Sequence, residues 1–454
     1  RGEDCRASMN KGDLTQGSVF KQLILFSIPI VMGELFQNFY NSVDAFVVGN
    51  LVGDHALAAV SVCETPAQLI VGFFNGMSLG ASVVTARAFG SGDWRKTQLR
   101  MRTCFTAALV LGVLLSVDGV LCAPLLLAAT NVDDALFTEA VRYLRIYMAG
   151  LMFMVIYNIA AGILRAIGDT RSPFLILVVS CCVNIVFDLM LVGLDMGVAG
   201  VALATVFAQS ISAVLAYRRI RHMSADFRIS VGEIRTNWKA VAEMFSIGFP
   251  SGLQSSLVFL SNMFVWRYIN AFDPGAIAGI GIAQRLDKFV AMPCKAFGLA
   301  VTTFVGQNVG AGNCRRCREG TAKALALSLL TVAVIGSVLY AFTEPCVAIF
   351  NRTERVIHVG TDMMHVIIPT YIAMTVREIL IGALRGYGNA RVPMLLSLLG
   401  MIGVRQIYLA LAMHVAYRVE YIYYCYPIAW TSTAVMLLLY YLFYRRRQKC
   451  SNEK

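Results

Sequence analysis

The chain has 454 residues, 57% hydrophobic and only 15% charged, with 39 Lys and Arg against 27 Asp and Glu for a net charge of +12. Soluble domains sit near 45–50% apolar and about 25% charged, and mean hydropathy here is +0.66, so an ordinary soluble fold is excluded. The basic excess falls in alternate loops rather than in one block, which argues against a nucleic-acid partner.

Apolar runs of about twenty residues recur, each long enough to cross a hydrocarbon core of roughly 30 Å. They predict an all-α polytopic membrane protein with twelve transmembrane helices. The first span, 20–48, carries Glu34, Gln37, Tyr40 and Asp44. Spans 56–89 and 99–127 follow, then 136–165 with Phe153, Met154 and Tyr157. The fifth, 173–194, holds Asn184 and Asp188, and the sixth, 199–219, holds Thr205. The seventh, 240–270, contains Gln254, and the eighth, 275–308, contains Arg285, Lys288, Met292 and Lys295. Span 319–343 precedes 356–386 with Arg377 and Glu378, 392–415 with Arg405, and 420–444.

Basic residues fill every second connection: Arg95 to Arg102, Arg165 with Arg171, Arg218 to Lys239, Arg315 to Arg318, Arg385 with Arg391, and the tail from Arg445. The positive-inside rule then places both termini in the cytoplasm, as an even span count also requires. Most cysteines stand singly in apolar runs and read as small hydrophobes. Cys314 and Cys317 lack the second pair that a zinc site needs, and read as reduced thiols in a cytoplasmic loop.

The stretch 162-GILRAIGDTRSP-173 returns as 382-GALRGYGNARVP-393, and 90-GSGD-93 returns as 310-GAGN-313. The common shift is 385 − 165 = 220 residues. The chain therefore divides into two parallel six-helix repeats, an N-lobe (20–219) and a C-lobe (240–444), around a central cavity. A cytoplasmic segment 1–19, a linker 220–239 and a basic tail 445–454 complete it. Parallel repeats are a transporter architecture, in which the halves rock about a substrate path.

A charged residue at a helix centre costs about 2.5–3.5 kcal/mol on insertion scales, so each needs a partner or a purpose. Asn184 and Asp188 are i, i+4 neighbours on one helix face. Asp44 and Thr205 lie at similar depth. These oxygens suit a small cation, or two carboxylates sharing a proton, or a polar cluster that binds helices together. The second half does not repeat them: Val404 and Tyr408 stand at the matching positions. It is basic instead, with Arg285, Lys288 and Lys295 on one helix face, and Arg377 and Arg405. Either these pair with Asp287 and Glu378 or snorkel, or they line a cavity for anionic groups. Glu34, Gln37, Tyr40, Tyr157, Gln254, Met292 and Glu378 complete the expected cavity set, beside the alternative of plain helix packing. The Gly-Arg-Pro motifs read as helix ends that set topology.

The order 13-DLTQGSVFKQLILFSIPI-30, 39-FYNSVDAFVVG-49, 90-GSGD-93, 162-GILRAIGDTRSP-173 and 306-GQNVGAGN-313 resembles the MATE (multidrug and toxic compound extrusion) family, in its DinF-type branch. The likeness runs from about Asp13 to Tyr444. It implies a secondary active antiporter of the cell (inner) membrane, exporting organic, usually cationic compounds in exchange for H+ or Na+. It further implies that Asp44, Asn184, Asp188 and Thr205 form the cation-coupling site. Other branches carry an acid near 251-SGLQ-254, where this chain has Gln254. The alternative is a flippase or exporter of anionic or zwitterionic amphiphiles using the basic C-lobe. A monomer with drug-like substrates, no enzymatic activity and no cofactor beyond the coupling ion is expected.

Overall fold

The computed structural model describes residues 12–128, 134–223 and 237–448. Every regular element among them is helical. The first half contains α1 (Val19–Val47), α2 (Asp54–Gly90), α3 (Trp94–Ala128), α4 (Asp134–Ala149), α5 (Leu151–Ala166), α6 (Arg171–Gly193) and α7 (Gly197–Met223). The second contains α8 (Trp238–Ile269), α9 (Pro274–Gly310), α10 (Cys314–Ala341), α11 (Thr343–Phe350), α12 (Glu354–Ile367), α13 (Tyr371–Gly386), α14 (Arg391–Leu398), α15 (Arg405–Val415) and α16 (Glu420–Gln448).

The internal repeat is visible in the helix starts. α2, α3, α4, α5 and α6 begin 220 residues before α9, α10, α12, α13 and α14 (for example 274 − 54). The short motifs have local causes. Gly92 and Gly312 adopt φ of 74° and 72°, a region that favours glycine. The next residue caps a helix: Asp93 Oδ1 accepts from the Lys96 N–H at 3.0 Å, and Asn313 Oδ1 from that of Arg316 at 3.1 Å. Gly168 and Gly388 repeat the pattern with φ of 88° and 76°. Gly382 serves close packing, since a Cβ there would stand 2.2 Å from the Gly298 carbonyl oxygen.

Among the described residues, ten helices are long and apolar enough to cross a membrane, and an eleventh span forms if the bent pair α4–α5 counts as one. The expected twelfth is α8. It has the length, 32 residues, but Ser251, Gln254, Ser261 and Asn262 dilute its apolarity. The span expected at 136–165 is broken by a 44° bend. The one expected at 356–386 is interrupted by a 3-10 turn at Ile368–Thr370, where Pro369 cannot donate a helical bond. The one expected at 392–415 contains a π-helical stretch, Leu399–Val404, whereas its repeat α6 is regular. On α3 the exposed Leu114, Val117, Leu121 and Leu125 follow helical spacing and form a stripe that a bilayer would cover.

The chain groups into two compact units. Unit 1 comprises Ile28–Gly252 with the residues up to Leu14; unit 2 comprises Thr15–Ser27 with everything from Leu253 onward. Thus α1 and α8 each contribute to both. In unit 1, α2 packs on α5 and α6 on α7; in unit 2, α9 packs on α12 and α13. Most of the expected linker, residues 224–236, lies outside the described residues, as do residues 1–11 and 449–454 of the termini.

Candidate ion-coupling site

Four helices of unit 1 converge on one polar cluster. α6 contributes Asn184 and Asp188, each only 1% exposed although the helix is otherwise apolar. With its amide turned to match donors to acceptors, Asn184 donates to Asp188 Oδ2 at 2.8 Å and to Tyr40 Oη at 3.1 Å. Its carbonyl accepts from the Thr205 backbone N–H of α7 at 3.1 Å. Tyr40 also lies close to the Thr205 side chain, whose hydroxyl donates to the Val201 carbonyl at 3.1 Å. Asp44 stands one turn beyond Tyr40 on α1, with its carboxyl close to that of Asp188. Asp44 Oδ1 and Asp188 Oδ1 are buried, and no donor among the described residues reaches either.

The four residues expected to couple a cation are therefore brought together, and Tyr40, expected to line a substrate cavity, belongs with them. Sequence reasoning missed Tyr143 and Tyr147 of α4. Their rings stack at 6.2 Å, and Tyr143 lies within electrostatic reach of Asp44. Their i, i+4 spacing inside an apolar stretch was the available signal. Ser180 adds a tie between α6 and α7 by donating to the Ala208 carbonyl at 2.9 Å.

The other expected cavity residues disperse. Glu34 is exposed, within electrostatic reach of the partly buried Arg165. Gln37 is half-buried on the same helix. Tyr157 donates to the Pro173 carbonyl at 3.1 Å, joining α5 to α6. Gln254 is buried in unit 2 and accepts from Arg385 at 2.9 Å. Met292 is buried, 4% exposed, and packs as core. Arg165 and Arg385, read from sequence as loop charges, point inward because polar partners wait there: Ser78 Oγ for Arg165 at 3.4 Å and Gln254 for Arg385.

Unit 2 holds the basic group. Arg377 pairs with its neighbour Glu378 and places a second nitrogen 3.0 Å from the Met401 sulfur. Asp287 lies close to Tyr371 and within electrostatic reach of Lys288, Lys295 and Arg377. Lys288 and Lys295 are exposed. Among the described residues, no group of three or more His, Cys, Asp or Glu side chains is placed to hold a metal ion.

Two repeats of membrane-crossing helices, with buried carboxyls in one unit and guanidinium groups in the other, define a multi-pass membrane transporter rather than an enzyme. The MatE family model matches residues 29–190 and again 250–411, and the chain belongs to that family. It is similar to the probable multidrug resistance protein YpnP of Bacillus subtilis (strain 168), 26% identical over 89% of this chain and 90% of that protein. It is also similar to an FAD transporter of Shewanella oneidensis, 24% identical over 76% of this chain and 77% of that protein. A solved MOP superfamily transporter from Pyrococcus furiosus, described as having a binding pocket of reverse polarity that suggests a different function, shares the fold. Its TM-score is 0.85 at 20% identity, over 96% of this chain and 98% of that one.

Proposed function

We propose that the chain is a secondary active exporter of organic compounds, driven by cation exchange at the carboxyl pair of unit 1. The observation that carries this reading is the close approach of the Asp44 and Asp188 carboxyls in a buried site. Ionised carboxylates are acceptors only, so a shared proton would let the two meet without repulsion. Loss of that proton leaves two like charges face to face in a site of low polarity, which drives α1 and α6 apart until a cation returns. This supports alternating access coupled to the ion.

The donor inventory favours H+ over Na+. Hard metal cations collect several oxygens. Asp44 Oδ1 and Asp188 Oδ1 are the buried oxygens of the cluster without a partner among the described residues. A sodium ion would need them together with the remaining lone pairs of the Asn184 carbonyl and the Thr205 hydroxyl, whereas a proton needs only the carboxyl pair. The multidrug name of the Bacillus relative supports drug-like substrates. The basic loops support a cell-membrane location with both termini in the cytoplasm, and the reading takes the protein as a monomer. In proteoliposomes, Asp44→Asn and Asp188→Asn should each abolish gradient-driven export; full export by both would end this reading.

A second reading, export of anionic or zwitterionic amphiphiles, is favoured by unit 2. There Asp287 lies within electrostatic reach of Lys288, Lys295 and Arg377, Glu378 within reach of Arg377, Lys295 and Arg385, and Arg405 within reach of Arg377. Such a basic excess repels cations and attracts anions. The substrate named for the Shewanella relative and the reversed pocket polarity described for the Pyrococcus transporter point the same way.

A further inference from the structure

Arg405 is the largest fully buried side chain, at 0% exposure. A buried guanidinium ordinarily has a carboxylate partner, because an unpaired charge inside a protein or membrane is expensive. Arg405 has only neutral partners among the described residues. One terminal nitrogen donates to Asn262 Oδ1 at 2.8 Å and the other to Ser261 Oγ at 2.6 Å. No acceptor among the described residues reaches its Nε. The charged group that acts on it is another cation, Arg377.

These two guanidinium groups converge on one short element. Arg377 touches the Met401 sulfur, and Ser261, which accepts from Arg405, donates its own proton to the Met401 carbonyl at 3.1 Å. Met401 lies in the π-helical stretch Leu399–Val404, immediately before Arg405. Such π segments occur mostly as local bulges at functional sites. The Nε of Arg377 also lacks an acceptor among the described residues. Glu378 pairs with one nitrogen of Arg377, and Asp287 lies within its electrostatic reach, but Arg405 has no such acid partner among the described residues. Guanidinium groups with donors unspent form a receptor for an oxyanion, since carboxylate and phosphate match the planar fork of arginine. Lys288 and Lys295, exposed and within electrostatic reach of the same acids, extend the positive field toward solvent.

We propose that Arg377 and Arg405 bind the carboxylate or phosphate group of an organic anion. The proposal deepens the anion reading above and rests on it for the ligand's role as substrate, but the binding itself stands separately.

The test uses the full chain in nanodiscs of phosphatidylcholine and follows 4-methylumbelliferyl phosphate binding by calorimetry. Arg405→Gln and Arg377→Gln should each weaken binding at least tenfold, while Lys323→Gln, on a surface helix turn, should leave it unchanged. Arg377 is partly exposed, so Arg377→Gln carries the test if Arg405→Gln does not fold. Inorganic phosphate and dihexanoyl phosphatidylglycerol enter as competitors. Displacement by phosphate identifies a soluble ligand, displacement by the lipid alone identifies a headgroup, and either supports the oxyanion site. Unchanged affinity in both arginine variants overturns the proposal, as does equal binding of neutral 4-methylumbelliferyl glucoside to the wild type. Export in proteoliposomes separates the two levels. If the wild type binds the phosphate ester but never exports it, the site stands and the substrate reading falls.

Discussion

Replacing Asp188 by Asn makes the sharpest test of coupling. The substitution keeps the shape of the side chain and its contact with Asn184 but removes a titratable group. It also removes the possibility of two facing charges, which is what forces the site to rearrange. A gradient of one pH unit supplies about 1.4 kcal/mol per proton, or about a tenfold substrate gradient. With one proton exchanged per cycle at the Asp44–Asp188 pair, the wild type should sustain about tenfold accumulation at that gradient. Asp188→Asn should sustain none, yet still exchange labelled for unlabelled substrate down its own gradient. The assay is dye accumulation in inverted vesicles with an imposed pH step, run beside counterflow without one. Full pH-driven accumulation in the variant would refute the carboxyl-pair mechanism. Loss of counterflow as well would show that Asp188 holds the fold rather than the ion.

Three further outcomes are expected. Tyr40→Phe removes a hydroxyl that accepts from Asn184 beside Thr205, at a cost of about 1–3 kcal/mol if the amide donor is left unsatisfied. It should weaken coupling at a given gradient without abolishing it, read as a lower accumulation ratio in the same vesicles. Gly382→Ala drives a Cβ to within 2.2 Å of a backbone oxygen, whereas Gly193→Ala meets nothing within 4 Å. Thermal unfolding should fall by several degrees for the first and change little for the second, in line with about 1–3 kcal/mol for overpacking. Asp273, outside the spans, is held below the usual carboxylate range by its hydrogen bond to Arg355 and by the Ala276 N–H. Its stabilising effect is therefore present above the unfolded value of about 3.9 and lost as pH falls through the lower folded value. The difference in thermal stability between wild type and Asp273→Ala should be constant near neutral pH and vanish in strong acid.

Sequence alone determined the membrane class and the two repeats, and it singled out Asp44 and Asp188 as candidate coupling carboxyls. Hydrophobic runs and loop charges act over short windows, and the repeat is a constant shift that needs no coordinates. Asn184 and Asp188 stood out because their repeat counterparts are Val404 and Tyr408, so the fold has no need of polarity there. Only the tertiary structure decided which polar groups meet. Tyr40 looked like any aromatic on a long helix until α1, α6 and α7 brought it against Asn184 and Thr205. Arg165 and Arg385 sit where loop charges belong but turn inward to partners on other helices. Nothing in the local sequence marks Arg405 as lacking a carboxylate, because its partners Ser261 and Asn262 are some 140 residues distant in the chain. Burial and pairing are properties of distant contacts, and those form only when helices pack.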